Sequence, residues 1–177
     1  MKKNNLILKI FFSLFLLNTV AAHAETAEEY THLGNLSIKK EKYKDAIHQY
    51  TKAIETDPKY AKAYYNRGYA YIEIRKYKLA IADLDHAIDI NPDYPAAYHV
   101  RGIAYFSKRN YKQAVLDYSK AIELDPKNIK FYTSRMSAYF KLGNSDRAWK
   151  DVIKIQQLGG VVNPAIINML KNRKYRD

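Results

Sequence analysis

Small, aromatic and polar positions return along this chain in two alternating helical rhythms. In the first, a tyrosine, a glycine four residues on and a tyrosine three further share one helix face: Tyr64, Gly68 and Tyr71, then Tyr98, Gly102 and Tyr105. In the second, alanine, a large residue at i+4 and alanine at i+7 mark another amphipathic helix, as in Ala46, Tyr50 and Ala53. Asp57-Pro58, Asn91-Pro92 and Asp125-Pro126 close the second rhythm each time. Proline restricts the residue before it and cannot continue a helix, yet it suits the entry to the next one. Both rhythms return every 34 residues: Gly34, Gly68 and Gly102, Ala46, Ala80 and Ala114, and Pro58, Pro92 and Pro126 all keep that interval. A helix pair repeated at this period predicts a solenoid. The glycine is expected where the two helices of a pair approach closely.

These positions resemble the tetratricopeptide repeat family. Tyr64, Gly68, Tyr71, Ala80, Ala87 and Pro92 fall at its signature spacings, and so do Tyr98, Gly102, Tyr105, Ala114, Tyr118, Ala121 and Pro126. The resemblance implies an all-α fold, a right-handed superhelical solenoid of antiparallel helix pairs with a C-terminal capping helix. Its units are expected at about 27–60, 61–94, 95–128 and 129–160. The first departs from the pattern at Ser37. The fourth is degenerate: Met136 replaces the packing glycine, Ser145 the tyrosine, Ile155 the alanine and Gly160 the proline. It reads as a helix pair with a wider first contact. Gly159-Gly160 ends it, and Asn163-Pro164 opens a cap helix over about 163–174. Ile166, Ile167 and Leu170 are placed to cover the last apolar face.

The front of the chain has a different pattern. Lys2 and Lys3 precede an apolar run, densest from Ile10 to Leu17, and Ala22-His23-Ala24 supplies small residues two apart. This predicts a signal peptide over residues 1–24 and an exported domain over 25–177, bacterial and either periplasmic or secreted. A retained anchor is the alternative, although Lys9, Ser13 and Asn18 interrupt the run.

The chain has no cysteine, which removes thiol catalysis and cysteine metal sites. His32, His48, His86 and His99 form no ligand motif, so neither metal nor other cofactor is expected. Asp83 and Asp85 are read by helical period as facing solvent, and no paired carboxylates sit in a predicted cleft. The expectation is a binding protein with no catalytic residues.

The first helix of each pair lines the inside of the curve. Its inner face is spelled by Thr31, Asn35, Ile38 and Lys39, by Lys62, Tyr65, Tyr69 and Glu73, by His99, Ile103 and Phe106, and by Lys130, Thr133 and Lys141. Tyr65, Tyr69 and Phe106 are expected at the centre of a peptide groove, with packing against neighbouring helices as the competing reading. One mode of the family grips the C-terminal carboxylate of chaperone tails with a lysine, two asparagines, a lysine and an arginine. Asn35 and Asn66 take the asparagine places, but Thr31, Ala96 and Val100 stand where the three cations belong. The resemblance therefore implies a protein or peptide partner without that charged clamp.

Charge is uneven. Residues 127–177 carry net +8 against +1 for 25–126. Lys150, Lys154, Lys171, Arg173, Lys174 and Arg176 make a basic end. It is either a solvated cap or a contact for an acidic protein or an anionic surface, which would bring at most peripheral contact with a membrane. Nucleic acid is disfavoured, since no recognition motif accompanies the charge. Two functions follow: a scaffold that holds a peptide on its concave face, or a structural subunit docking into an envelope assembly through its convex face or basic end.

Overall fold

The computed structural model describes residues 26–174, and the predicted signal peptide lies outside them. Among the described residues the regular elements are all helices: α1 (Ala27–Lys39), α2 (Tyr43–Thr56), α3 (Ala61–Glu73), α4 (Tyr77–Ile90), α5 (Pro95–Ser107), α6 (Tyr111–Leu124), α7 (Ile129–Lys141), α8 (Ser145–Gln157) and α9 (Pro164–Lys174). Each packs against the next, and α1, α3, α5 and α7 also touch in succession. The result is an all-α solenoid of antiparallel pairs, with α9 laid on α8 as the cap.

Local chemistry sets the ends. Thr26 Oγ1 accepts from the Glu29 amide at 3.2 Å while Glu29 Oε2 accepts from the Thr26 amide at 2.7 Å, a reciprocal cap that starts α1. Asn110, Asn128 and Asn144 cap α6, α7 and α8 with their side-chain oxygens. Glu41, Arg75 and Arg109 take left-handed backbone, at φ 57°, 59° and 63°, in the turns inside the first three pairs. The fourth pair has Gly143 at the equivalent place, where no side chain opposes that conformation.

The glycines are contact residues. A Cβ at Gly102 would lie 2.5 Å from Tyr118 Cε1, and one at Gly34 would run into the Tyr50 ring. At Gly68 it would lie 2.9 Å from Leu84 Cγ. The partner is always 16 residues on, so a vacancy on one helix receives a large side chain from the other. The fourth pair inverts the exchange. Met136 is buried in the glycine place, and the smaller Val152 stands where Tyr50, Leu84 and Tyr118 stand earlier. Both belong to one apolar cluster with Ile155, Val162 and Leu170, so lost space is returned across the contact.

A polar ladder runs beside this core, and it corrects the reading of Asp83 as a solvent-facing residue. Asp83, Asp117 and Asp151 are buried. Arg67 donates to Asp83 through Nε and Nη2, both at 2.8 Å, and Arg101 and Arg135 hold Asp117 and Asp151 the same way. The remaining nitrogen of each arginine reaches back to the preceding pair: to Thr51 Oγ1 at 3.0 Å, Asp85 Oδ1 at 2.6 Å and Ser119 Oγ at 3.0 Å. Each guanidinium also sits over the tyrosine three residues before it, Tyr64, Tyr98 or Tyr132. Burial pushes the Asp117 and Asp151 carboxyls up, and their bidentate arginines oppose it. In the first pair Leu33 and Gln49 replace the arginine and aspartate, and Gln49 Oε1 is buried with no partner among the described residues.

Candidate functional site

The concave side opens into a cavity of about 440 Å³ between α1 and α3, with Tyr50 of α2 at its floor. Asn35, Ile38, Tyr65, Asn66 and Tyr69 line it, and His32, Leu36 and Lys39 complete the wall. The two asparagines come together because both lie on first helices, one unit apart. Tyr50 Oη donates to Asn35 Oδ1 at 2.8 Å, and Asn66 Nδ2 donates to the same oxygen at 3.3 Å. Asn35 Nδ2 and Asn66 Oδ1 are left without a partner among the described residues, so the wall offers one donor and one acceptor. That pair matches the two hydrogen-bonding groups of a peptide unit. Burial raises the Tyr50 phenol well above its usual range and raises that of Tyr65, so both rings are neutral. Tyr65 also packs on Tyr94, the residue that leads into α5, with centroids 5.0 Å apart. Tyr69 is the more open of the two tyrosines and supplies apolar surface at the rim.

The other predicted groove residues lie outside this cavity. Thr31 is buried, with no hydrogen-bond partner for its hydroxyl among the described residues. Phe106 stacks edge-on against Tyr111 at 5.1 Å and, with Ile103, packs on the cluster around Tyr118. His99 lies between Phe131 and Tyr118, with centroids 4.9 and 5.6 Å away, and bonds Ser134 Oγ at 2.9 Å. Burial, with Lys130 nearby, lowers its pKa to about 4, so the ring is neutral near pH 7. It cements the third unit to the fourth. Lys62, Lys130, Thr133 and Lys141 are exposed, and the Thr133 hydroxyl bonds its own helix at Ile129 O.

The positions of the charged clamp hold no cation: Thr31 and Val100 are buried and Ala96 is partly so. At the basic end, Lys150 is exposed, Lys154 is half-buried, and Lys171 sits over the Trp149 ring at 5.9 Å. Arg173 and Lys174 fall in α9, and Arg176 lies outside the described residues. Among the described residues no three His, Cys, Asp or Glu side chains converge on a metal-sized site, and no helix is long and apolar enough to cross a membrane.

A TPR repeat profile matches residues 34–74, and the tetratricopeptide repeat profile matches 61–94 and 95–128. A crystal structure of MamA is 30% identical, with TM-score 0.73, covering 80% of this chain and 83% of that one. The first TPR of Spaghetti (RPAP3), solved bound to the HSP90 peptide SRMEEVD, is 30% identical with TM-score 0.65 over 70% of this chain and 98% of its own. The Arabidopsis OM64 TPR domain is 29% identical with TM-score 0.62 over 63% and 93%. No curated protein matches the chain in sequence. The chain belongs to the tetratricopeptide repeat family. Its stacked helix pairs have that family's fold.

Proposed function

We propose that the chain is an exported scaffold that holds an extended peptide across the cavity between α1 and α3. The observation that carries this reading is the joined pair Asn35 and Asn66, 3.3 Å apart in a recess walled by Tyr50, Tyr65 and Tyr69. The asparagines take a peptide group of the ligand, and the tyrosines take an apolar side chain. The RPAP3 domain, solved bound to an HSP90 peptide, supports a peptide as the class of ligand. Without cations at Thr31, Ala96 and Val100, a carboxylate-terminated tail is not the preferred ligand here. Export rests on the basic and apolar start of the chain and its Ala22-His23-Ala24 site.

A random heptapeptide library selected on residues 25–177 tests the groove. Enriched peptides should lose about 2 kcal/mol of binding on Tyr65→Ala or Asn35→Ala and little on Lys150→Glu. Enriched peptides that bind all three variants like the parent would place binding elsewhere. Residues 1–30 fused to a reporter that is active only outside the bacterial cytoplasm test export, and a silent reporter counts against it.

A further inference from the structure

The two edges of the solenoid differ in charge. Turns between pairs read Asp57-Pro58-Lys59, Asn91-Pro92-Asp93 and Asp125-Pro126-Lys127, whereas turns inside pairs read Lys40-Glu41-Lys42, Ile74-Arg75-Lys76 and Lys108-Arg109-Asn110. Antiparallel pairs stacked side by side bring the second set to one edge. Glu41 lies in the first of these turns, and the second is preceded by Glu73 at the end of α3. Beyond it the balance is one-sided: residues 74–82 and 103–116 contain no acid.

At this edge, between the second and third pairs, lies a separate cavity of about 400 Å³ lined by Arg75, Lys76, Tyr77, Lys78, Leu79 and Lys108. All four cations are exposed, and none has a carboxylate partner among the described residues. The walls are apolar at Tyr77 and Leu79. Arg75 and Arg109 also hold left-handed backbone, where a non-glycine residue costs about 1–2 kcal/mol. Charge is thus kept at this edge against local backbone preference.

We propose that this recess docks an acidic protein segment, with one apolar side chain inserted between Tyr77 and Leu79 and carboxylates on Arg75, Lys76, Lys78 and Lys108. A concave apolar-walled recess ringed by cations receives a protruding side chain, which a flat anionic bilayer does not supply. The cationic row continues to Arg109 and Lys112, so acidic residues on both sides of the anchor are matched. The surface is distinct from the asparagine cavity, and neither requires the other.

The test uses a fluorescent heptapeptide with a central phenylalanine flanked by three acidic residues on each side. The combined variant Arg75→Glu, Lys76→Glu, Lys78→Glu and Lys108→Glu should weaken binding by at least about tenfold at low salt. The same charge change placed at Lys127, Lys150, Lys154 and Lys171 should weaken it far less. Leu79→Asp, or a serine in place of the peptide phenylalanine, should also weaken it. Arg75→Gly with Arg109→Gly guards against misfolding: it relieves the backbone, so the urea midpoint should rise while peptide binding falls. Equal losses for the two charge-reversed variants would reduce the effect to net charge and overturn the site. So would no binding at all, or binding to phosphatidylserine–phosphatidylcholine vesicles without the peptide. Loss on Asn35→Ala but not on the edge variants would return the peptide to the concave cavity.

Discussion

Arg101 holds Asp117 with two nitrogens, at 2.9 and 2.7 Å, and spends its third on Asp85 of the preceding helix pair at 2.6 Å. One side chain therefore fixes both the closure of its own pair and the seating of that pair on its neighbour. Asp117 is buried while Asp85 is about half-exposed, so the two bonds differ in weight.

Removing Asp117 leaves a guanidinium without its buried counter-ion. Asp117→Ala should cost about 3–5 kcal/mol, far more than Glu123→Ala, which removes the exposed bond to Lys120 at 2.8 Å. Replacing both partners, Arg101→Leu with Asp117→Leu, should cost much less than Asp117→Ala alone. Urea midpoints at pH 7 measure all three, and a double replacement as damaging as the single one would show that the ladder is not the source.

The exchange of volume between Gly102 and Tyr118 is testable in the same way. Gly102→Met should cost about 1–3 kcal/mol or more by overpacking, because even a Cβ meets the Tyr118 ring at 2.5 Å. Adding Tyr118→Val reproduces the Met136 and Val152 arrangement and should recover much of that loss. A double-mutant cycle on unfolding free energies gives the coupling, and simple additivity would show that the two residues do not compete for one space.

His99 gives the fold a pH dependence. Its pKa falls from 6.5 to about 4 on folding, so between those values the unfolded chain binds more protons. The contribution is complete above pH 6.5 and is lost as pH falls towards 4. By pH 5 the loss should be about 2 kcal/mol. His99→Gln should flatten that part of the difference between pH 7 and pH 5, and an unchanged slope would assign it to carboxylates instead.

The first pair lacks the ladder and can be given one. Gln49→Asp alone places a carboxylate where Gln49 Oε1 is already buried without a partner among the described residues, and should destabilise by a few kcal/mol. Adding Leu33→Arg should restore most of that, since Tyr30 stands where Tyr64 and Tyr98 stand beneath Arg67 and Arg101. No recovery in thermal midpoint would mean that α1 and α2 are spaced differently from the later pairs.

Much of this was written in periodic positions. Glycine, alanine and proline at a fixed interval specify helix pairs because each has a steric duty that few residues can share. Asn35 was legible as an inner-face residue by the same spacing, and Asn66 through the resemblance to the family's clamp. Asp83 was not, because the period of one helix places it outward and only Arg67, 16 residues upstream on another helix, makes its burial tolerable. Yet Arg67, Arg101 and Arg135 keep the same interval as the glycines, and so do Asp83, Asp117 and Asp151. Reading those two rows together would have revealed the ladder. His99 and Phe106 lie outside that cavity, and their ring partners, Phe131 and Tyr111, come from other helices, which the period of one helix does not show.

Because every arginine of the ladder reaches backward, each inner unit carries both a plug for the unit before it and a socket for the unit after. A copied unit inserted between the second and third would find its bonds already provided. The first unit cannot serve as such an insert, since Leu33 has nothing to extend towards a predecessor. The molecule therefore has a fixed starting piece and an adjustable length, and a gene encoding it can grow by whole-unit duplication without disturbing the Asn35 and Asn66 cavity near its start.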